Sequence, residues 1–502
     1  MQQPNQNPTK TAIISANKTF SYSDLQNASA HFAHMLLVSQ TDLAEKRVAF
    51  MVVPGFDYVR VQQGIWLAGG VAVPLCTSHP LASLQYVIED TQADIIVVSP
   101  EFEPVLGPYA AHKGLRFIVL SNLFAEPIGT LPNVASSRRA MILYTSGTTN
   151  LPKGVVTTHA NLEAQVSTLV QAWEYTADDH ILCILPLHHV HGIINVVTCT
   201  LRAGGTVEFL PQFSAQRVFD WFQHIAQQNQ VGVFMAVPTI YFKLIAHFET
   251  LTDTQKQALT AAVKTFRLMV SGSAALPVSV MEKWEAISGH RLLERYGMTE
   301  LGMAISNPYR GERRAGHIGQ ALPGVTIRLV DDQNNEVTTD ETGEASPGEA
   351  SPGEIQVKGA SVFAEYWCKK EATEATFTED GWFKTGDVAV LDNGYYKILG
   401  RSSIDIIKSG GYKISALEIE EVLRTHPLID DCSVVGIDNE EWGELVVAAL
   451  VINAQTLDTD ELTSWIREKM PTYKIPRRYK IVAELPRNAM GKVTKNDLKK
   501  LF

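Results

Sequence analysis

Apolar, β-branched runs recur along the first two-thirds of the chain, separated by stretches whose apolar residues fall on one helical face. Runs at 47–53, 71–75, 94–98, 117–120 and 141–144 are predicted as strands. Between the second and third, Leu84, Val87 and Ile88 share one face of a predicted helix over 81–91. Further strands are expected at 181–185, 206–210, 231–236 and 266–270, with helices near 159–172, 215–228 and 278–288 among them. This alternation predicts an α/β fold with parallel sheets covered by helices, in which ligands collect where strands end. After about residue 315 short strands and Gly-rich turns take over, as at 353–359, and predict a β-rich subdomain over 315–400. Beyond Gly400 and Arg401 comes a small α+β unit: helices at 416–425 and 460–469, strands at 432–436, 446–452 and 479–483. The expected division is a large N-terminal domain, 1–400, and a C-terminal domain, 401–502, of ordinary size. A tandem Gly-Glu-Ala-Ser-Pro repeat at 343–352 reads as a surface-loop insertion.

Composition narrows the class. The chain has 502 residues, 45% hydrophobic and 19% charged, with a formal charge of −11. An acidic chain without basic blocks is a poor nucleic-acid or anionic-membrane binder through its overall field. Five scattered cysteines, with no CxxC pair, make no disulfide framework. No secretory signal or membrane-length apolar run is seen, so the expected location is the cytoplasm and no membrane span is expected.

Several segments carry candidate chemistry. Thr145, Ser146, Gly147, Thr148 and Thr149 follow a predicted strand, and Lys153 closes the loop. Hydroxyls and backbone N–H groups there suit phosphate oxygens, and the lysine supplies a point charge. It is not the Walker pattern. Glu294, Arg295, Tyr296, Gly297, Met298, Thr299 and Glu300 form a second segment, with an aromatic face for a base and an acid suited to Mg²⁺. Asp387 ends a Gly-rich turn and suits a ribose diol. Lys492 lies near the C-terminus, where a lone lysine is normally a solvated charge.

In this order the segments resemble the acyl-adenylate-forming superfamily: acyl-CoA synthetases, peptide-synthetase adenylation domains and luciferases. The resemblance runs from about Lys18 to Lys492. It implies ATP, Mg²⁺ and CoA as cofactor and co-substrates. Residues 145–149 and Lys153 match the loop that holds the ATP β- and γ-phosphates. The segment from Ser271, with Ser273 and Ala274, matches the adenine site together with Glu294, Tyr296 and Gly297. Thr299 matches the α-phosphate contact and Glu300 the Mg²⁺ ligand. Asp387 and Arg401 match the ribose pair, and Lys492 the lysine bridging carboxylate and α-phosphate. Two anions must meet, so positive charge and in-line positioning carry the step. The family's C-terminal domain then rotates about a hinge, here Ser403, to admit CoA. Many members carry an acidic residue or Lys at that hinge. Lys408, Gly410 and Gly411 match the loop that faces the site in the thioester-forming pose.

The malonyl-CoA synthetases are the most similar group, through segments 185–192, 234–241, 268–277, 293–300 and 407–413. Arg295 would stand at the acyl-pocket wall. A second carboxylate on the substrate would pair with it, whereas a fatty tail would leave a buried ion unpaired. Internal pairing with Glu294 or another internal acid is the competing expectation. His189, His191, Met235 and Ser271 are the other candidate acyl-site residues, with His191 and Ser271 able to hydrogen-bond the distal carboxylate. The expected substrate is a small carboxylate, malonate. Methylmalonate or another short acid, a carrier-loading adenylation protein, and a non-catalytic acyl-AMP-binding protein remain open.

Overall fold

The computed structural model describes residues 7–120, 130–145, 152–337, 351–487 and 492–502. The repeat at 343–352, residues 146–149 of the phosphate loop and most of the segment before Lys492 lie outside the described residues, in whole or nearly so. Four sheets are present among the described residues. The fold class expected from sequence, α/β with parallel helix-covered sheets, is the one found.

The largest sheet has nine strands. Its centre is parallel: Leu268–Ser271, Val231–Ala236, Asp179–Cys183 and Thr206–Phe209 lie side by side in that order. Their residues are almost all buried, as expected of strands covered on both faces. Alternation sorts the side chains. Val233 and Met235 enter one core cluster, and Phe234 and Ala236 the other. The first cluster also takes Val48, Phe50, Val97 and Met141 from a seven-stranded sheet, so the two sheets share a core. The second is covered by helices Ala215–Gln227, Pro238–Glu249, Asp253–Val263 and Val278–Ser288.

Parallel pairing is not universal. Leu293–Met298 pairs parallel with Leu268–Ser271 but antiparallel with Gly302–Ser306. Arg139–Thr145 and Lys153–Thr158 form an antiparallel hairpin, with Thr145 opposite Lys153. The lysine expected to close a strand–loop–helix unit therefore begins a second strand. Helix His159–Ala172 starts just after it, where Thr158 and Asn161 form a capping box.

A four-stranded antiparallel sheet follows, from Val325–Val330 to Tyr395–Arg401. Residues 406–481 supply a separate five-stranded sheet, covered by helices Ala416–Arg424 and Thr459–Arg467. No described helix is long and apolar enough to cross a membrane. Cys76, Cys183, Cys199 and Cys432 are buried thiols and Cys368 is exposed, all unbridged.

Candidate active site

The parallel strands of the large sheet end together, and the loops leaving them build one side of a cleft. From Asp179–Cys183 the chain runs to His188, His189 and His191. From Leu268–Ser271 it runs to Gly272 and Ser273. Arg295 sits within the neighbouring strand, one residue after Glu294, which pairs with Ser271.

Arg295 is 3% exposed. One of its terminal nitrogens donates to Ser273 Oγ at 3.2 Å, and Nδ1 of His191 meets the same hydroxyl at 3.2 Å. Its Nε has no partner, and no described carboxylate lies within ion-pair distance. Burial pushes the guanidinium down to about 10, against the opposing pull of Glu294 and Tyr175. Glu294 does not pair with it. Side chains alternate along a strand, and Glu294 Oε1 instead accepts from the Leu276 backbone N–H at 2.9 Å. Burial raises the Glu294 carboxyl to about 8. The expectation of internal pairing is thus corrected by strand geometry.

Gly272 makes Arg295's position possible. A Cβ there would come within 2.5 Å of Arg295 Nε and 2.6 Å of Cζ. Ser273, in the left-handed region at φ 71°, turns its hydroxyl to the arginine. Ser271, in contrast, is fully buried with its hydroxyl unpartnered among the described residues. The hydroxyl beside Arg295 is therefore that of Ser273, which the sequence had suggested for the nucleotide. His191 and His189 each keep a buried, unpartnered Nε2. Burial pushes His189 down to about 3 and His191 well below its ordinary value, so both imidazoles are neutral. Met235 is buried, its sulfur 3.7 Å from the Tyr175 hydroxyl.

A second cluster joins Tyr296, Asp387 and Arg401. The Tyr296 hydroxyl donates to Asp387 Oδ2 at 2.6 Å, and Arg401 Nε donates to Oδ1 at 2.9 Å. Asp387 and Arg401 are register partners on adjacent strands. Despite desolvation, the Asp387 charge raises the Arg401 guanidinium above its ordinary value. At Gly297 a Cβ would meet the Gly302 carbonyl oxygen at 2.0 Å, so the hairpin closes tightly behind Tyr296.

A third cluster contains Glu300, Tyr366 and Lys153. The Tyr366 hydroxyl donates to Glu300 Oε1 at 2.9 Å, and Lys153 Nζ stands 4.8 Å from the centre of the Tyr366 ring. Burial raises the Glu300 carboxyl. A divalent cation would offset that desolvation, and Mg²⁺ commonly takes one or two carboxylates plus substrate phosphates, so the residues fit this ion. Thr299 lines a cavity of about 20 Å³ with Gln165 and Asn195. Tyr366 was not singled out in the sequence, because its strand, Glu365–Tyr366, is only two residues long.

Lys492 reaches the same cleft. It stays open to water but is flanked by protein. Desolvation, then repulsion from Arg401 and Arg295, lowers its ammonium, while Asp387 opposes the shift. Ser403 is exposed in the turn joining the strands Tyr395–Arg401 and Ile406–Ser409. Lys408, Gly410 and Gly411 are not tied to these clusters among the described residues. The Lys408 and Gly410 backbone N–H groups bond Glu444 and Trp442 of the same unit. Ala274 is exposed.

Such a cleft, between a large parallel sheet and a small C-terminal unit, matches known proteins. Residues 1–367 match the AMP-binding enzyme family, and residues 418–492 match the AMP-binding enzyme C-terminal domain. The chain belongs to this family of acyl-adenylate-forming enzymes. Among curated relatives, it is 43% identical to malonate–CoA ligase ACSF3, mitochondrial, of Bos taurus, covering 97% of this chain and 88% of that protein. The Homo sapiens counterpart is 44% identical, with coverages of 92% and 84%. Among solved structures, ATP-bound MatB from Rhodopseudomonas palustris superposes with a TM-score of 0.88 at 32% identity, covering 99% of this chain and 96% of that one.

Proposed function

We propose that the chain joins malonate to CoA, using ATP, through malonyl-AMP, with release of pyrophosphate and AMP. The observation that carries the choice of acid is Arg295: buried, unpaired by any described carboxylate, close against Gly272, and sharing the Ser273 hydroxyl with His191. A charge in that position is stabilised by a substrate's second carboxylate, which a guanidinium holds bidentately. Neutral His191 adds a hydrogen bond without adding charge. The relatives named for malonate support the same reading.

In this reading residues 1–400 bind ATP and the acid, and residues 401–502 are a mobile lid hinged at Ser403. Lys153 and the loop beginning at Thr145 hold the outer phosphates. Tyr296 stacks on adenine, Asp387 and Arg401 hold the ribose, and Thr299 holds the α-phosphate. Glu300 would hold Mg²⁺, which when bound neutralises phosphate charge. Lys492 draws the reacting carboxylate oxygen to the α-phosphorus. The lid then turns, withdrawing Lys492 and bringing Lys408, Gly410 and Gly411 to the path of the CoA thiol. The unbridged thiols support a reducing compartment, read as the cytoplasm; fractionation that placed the chain in mitochondria would correct that.

The test offers malonate, methylmalonate, acetate and octanoate with ATP, Mg²⁺ and CoA. Thioester formed foremost from malonate supports the reading. Preference for acetate or octanoate overturns the role of Arg295. Thioester from no acid, with pyrophosphate still released, points to carrier loading.

A further inference from the structure

Helix Val278–Ser288 begins after Pro277, which offers no side-chain cap. The first N–H groups of a helix need acceptors from elsewhere. For Val278 the acceptor comes from the C-terminal unit: its N–H donates to Glu421 Oε1 at 3.0 Å. Glu421 stands on helix Ala416–Arg424, 143 residues further along the chain. Two residues before Val278, the Leu276 N–H donates to Glu294 Oε1. The segment carrying Gly272 and Ser273 is thus held at its far end by two carboxyl groups. One belongs to the strand of Arg295 and the other to the C-terminal unit.

Besides the Arg401–Asp387 pair and the Ser415 hydroxyl on the Leu399 carbonyl, two ion pairs of a different kind join the units among the described residues. Lys397 meets Glu418 at 3.6 Å, and Lys413 pairs with Asp332, both between part-exposed or exposed side chains. Solvated ion pairs contribute little. A carboxylate on an otherwise uncapped helix N-terminus makes a charge-assisted hydrogen bond aligned with the helix dipole. It also requires one relative placement of the two units, the placement in which Lys492 stands in the cleft.

We propose that Glu421 is a positioning residue that caps helix Val278–Ser288 across the two units. It thereby holds the lid in the pose for adenylate formation, and the cap is released when the lid turns for thioester formation. This rests on the two-step function proposed above. Because the capped helix continues from the Gly272–Pro277 segment, lid position and acyl pocket share one stretch of backbone.

The test deletes each side of the bond. Glu421→Ala removes the acceptor. Val278→Pro removes only the donor, since proline is tolerated at a first helical position and Pro277, at ψ 135°, already has the extended conformation that precedes a proline. Two half-reactions are followed separately: malonate-dependent ATP–pyrophosphate exchange, and discharge of preformed malonyl-AMP by CoA. Both variants are expected to slow exchange about fivefold while discharge stays unchanged or quickens. Glu421→Gln, which keeps an acceptor oxygen, should fall closer to the parent. The double variant should be no slower than either single one. The cap role is overturned if exchange and discharge fall together, if the losses multiply in the double variant, or if neither rate moves. Absence of exchange by the parent chain with any acid would instead remove the underlying function, and the cap role with it.

Discussion

Two arginines face one cleft in opposite states. Arg401 has its counter-ion within the protein, and the Asp387 charge raises its guanidinium. Arg295 has none among the described residues, and burial lowers its guanidinium. The first is a finished structural pair, proposed to present its surface to a neutral ribose. The second is a buried charge whose proposed completion comes from outside. Carboxylate placement makes the difference: Asp387 lies opposite Arg401 in the register, whereas Glu294, adjacent in sequence to Arg295, points away toward Leu276.

Lys492 stands between these regions and feels both cations. Lys492→Ala should lower the adenylation half-reaction by about 10²–10³-fold, since a positioned charge at the reacting centre is lost. Discharge of preformed malonyl-AMP by CoA should stay within about twofold if, as proposed, the second step does not use this lysine. The lowered ammonium sets a pH sign. The cation is present below its pKa, so exchange should decline with rising pH before the ordinary lysine range, and discharge should not share that decline.

The two arginines should separate in stability. Arg401→Met leaves Asp387 with only the Tyr296 hydroxyl and should cost about 1–3 kcal/mol in denaturant unfolding. Arg295→Met removes an uncompensated charge and should be neutral or stabilising without ligand. Equal losses would erase the distinction between them. Gly272→Ala should displace Arg295, because the new Cβ and the guanidinium compete for one space. Malonate selectivity should fall about tenfold with less effect on ATP affinity, read as separate KM values.

The smallest effect concerns Glu294. Its carboxyl is raised in the fold, so its contribution to stability is fully present below the unfolded value of 4.5 and is lost as pH rises through about 8. Glu294→Gln keeps an acceptor for Leu276 and should gain on the parent in Tm between pH 5.5 and pH 8.5. An unchanged difference across that window would contradict the shift.

Much of this was legible from residues alone. The strands 231–236 and 353–359 and the helices 159–172 and 278–288 stand where their patterns placed them, because buried runs and amphipathic helices leave local marks. The pairing of Asp387 with Arg401, and Arg295 and Lys492 as residues of one cleft, could be named from their motifs. Four features left no such mark. The antiparallel hairpin at Lys153 depends on register, which spacing does not encode. Tyr366 depends on a two-residue strand finding a distant edge. The switch of Ser273 toward Arg295 depends on a left-handed backbone at a non-glycine residue. Glu421 was likewise invisible, since a cap supplied from another sheet has no sequence neighbourhood.

The central claim is that Arg295 awaits a substrate carboxylate. Its most direct test is the ratio of kcat/KM for malonate to that for acetate, in the parent chain and in Arg295→Ala. Removing a buried ion pair that only malonate can form should collapse that ratio by about 10²-fold or more, chiefly through malonate. An unchanged ratio would show that Arg295 does not read the second carboxylate and would contradict the account.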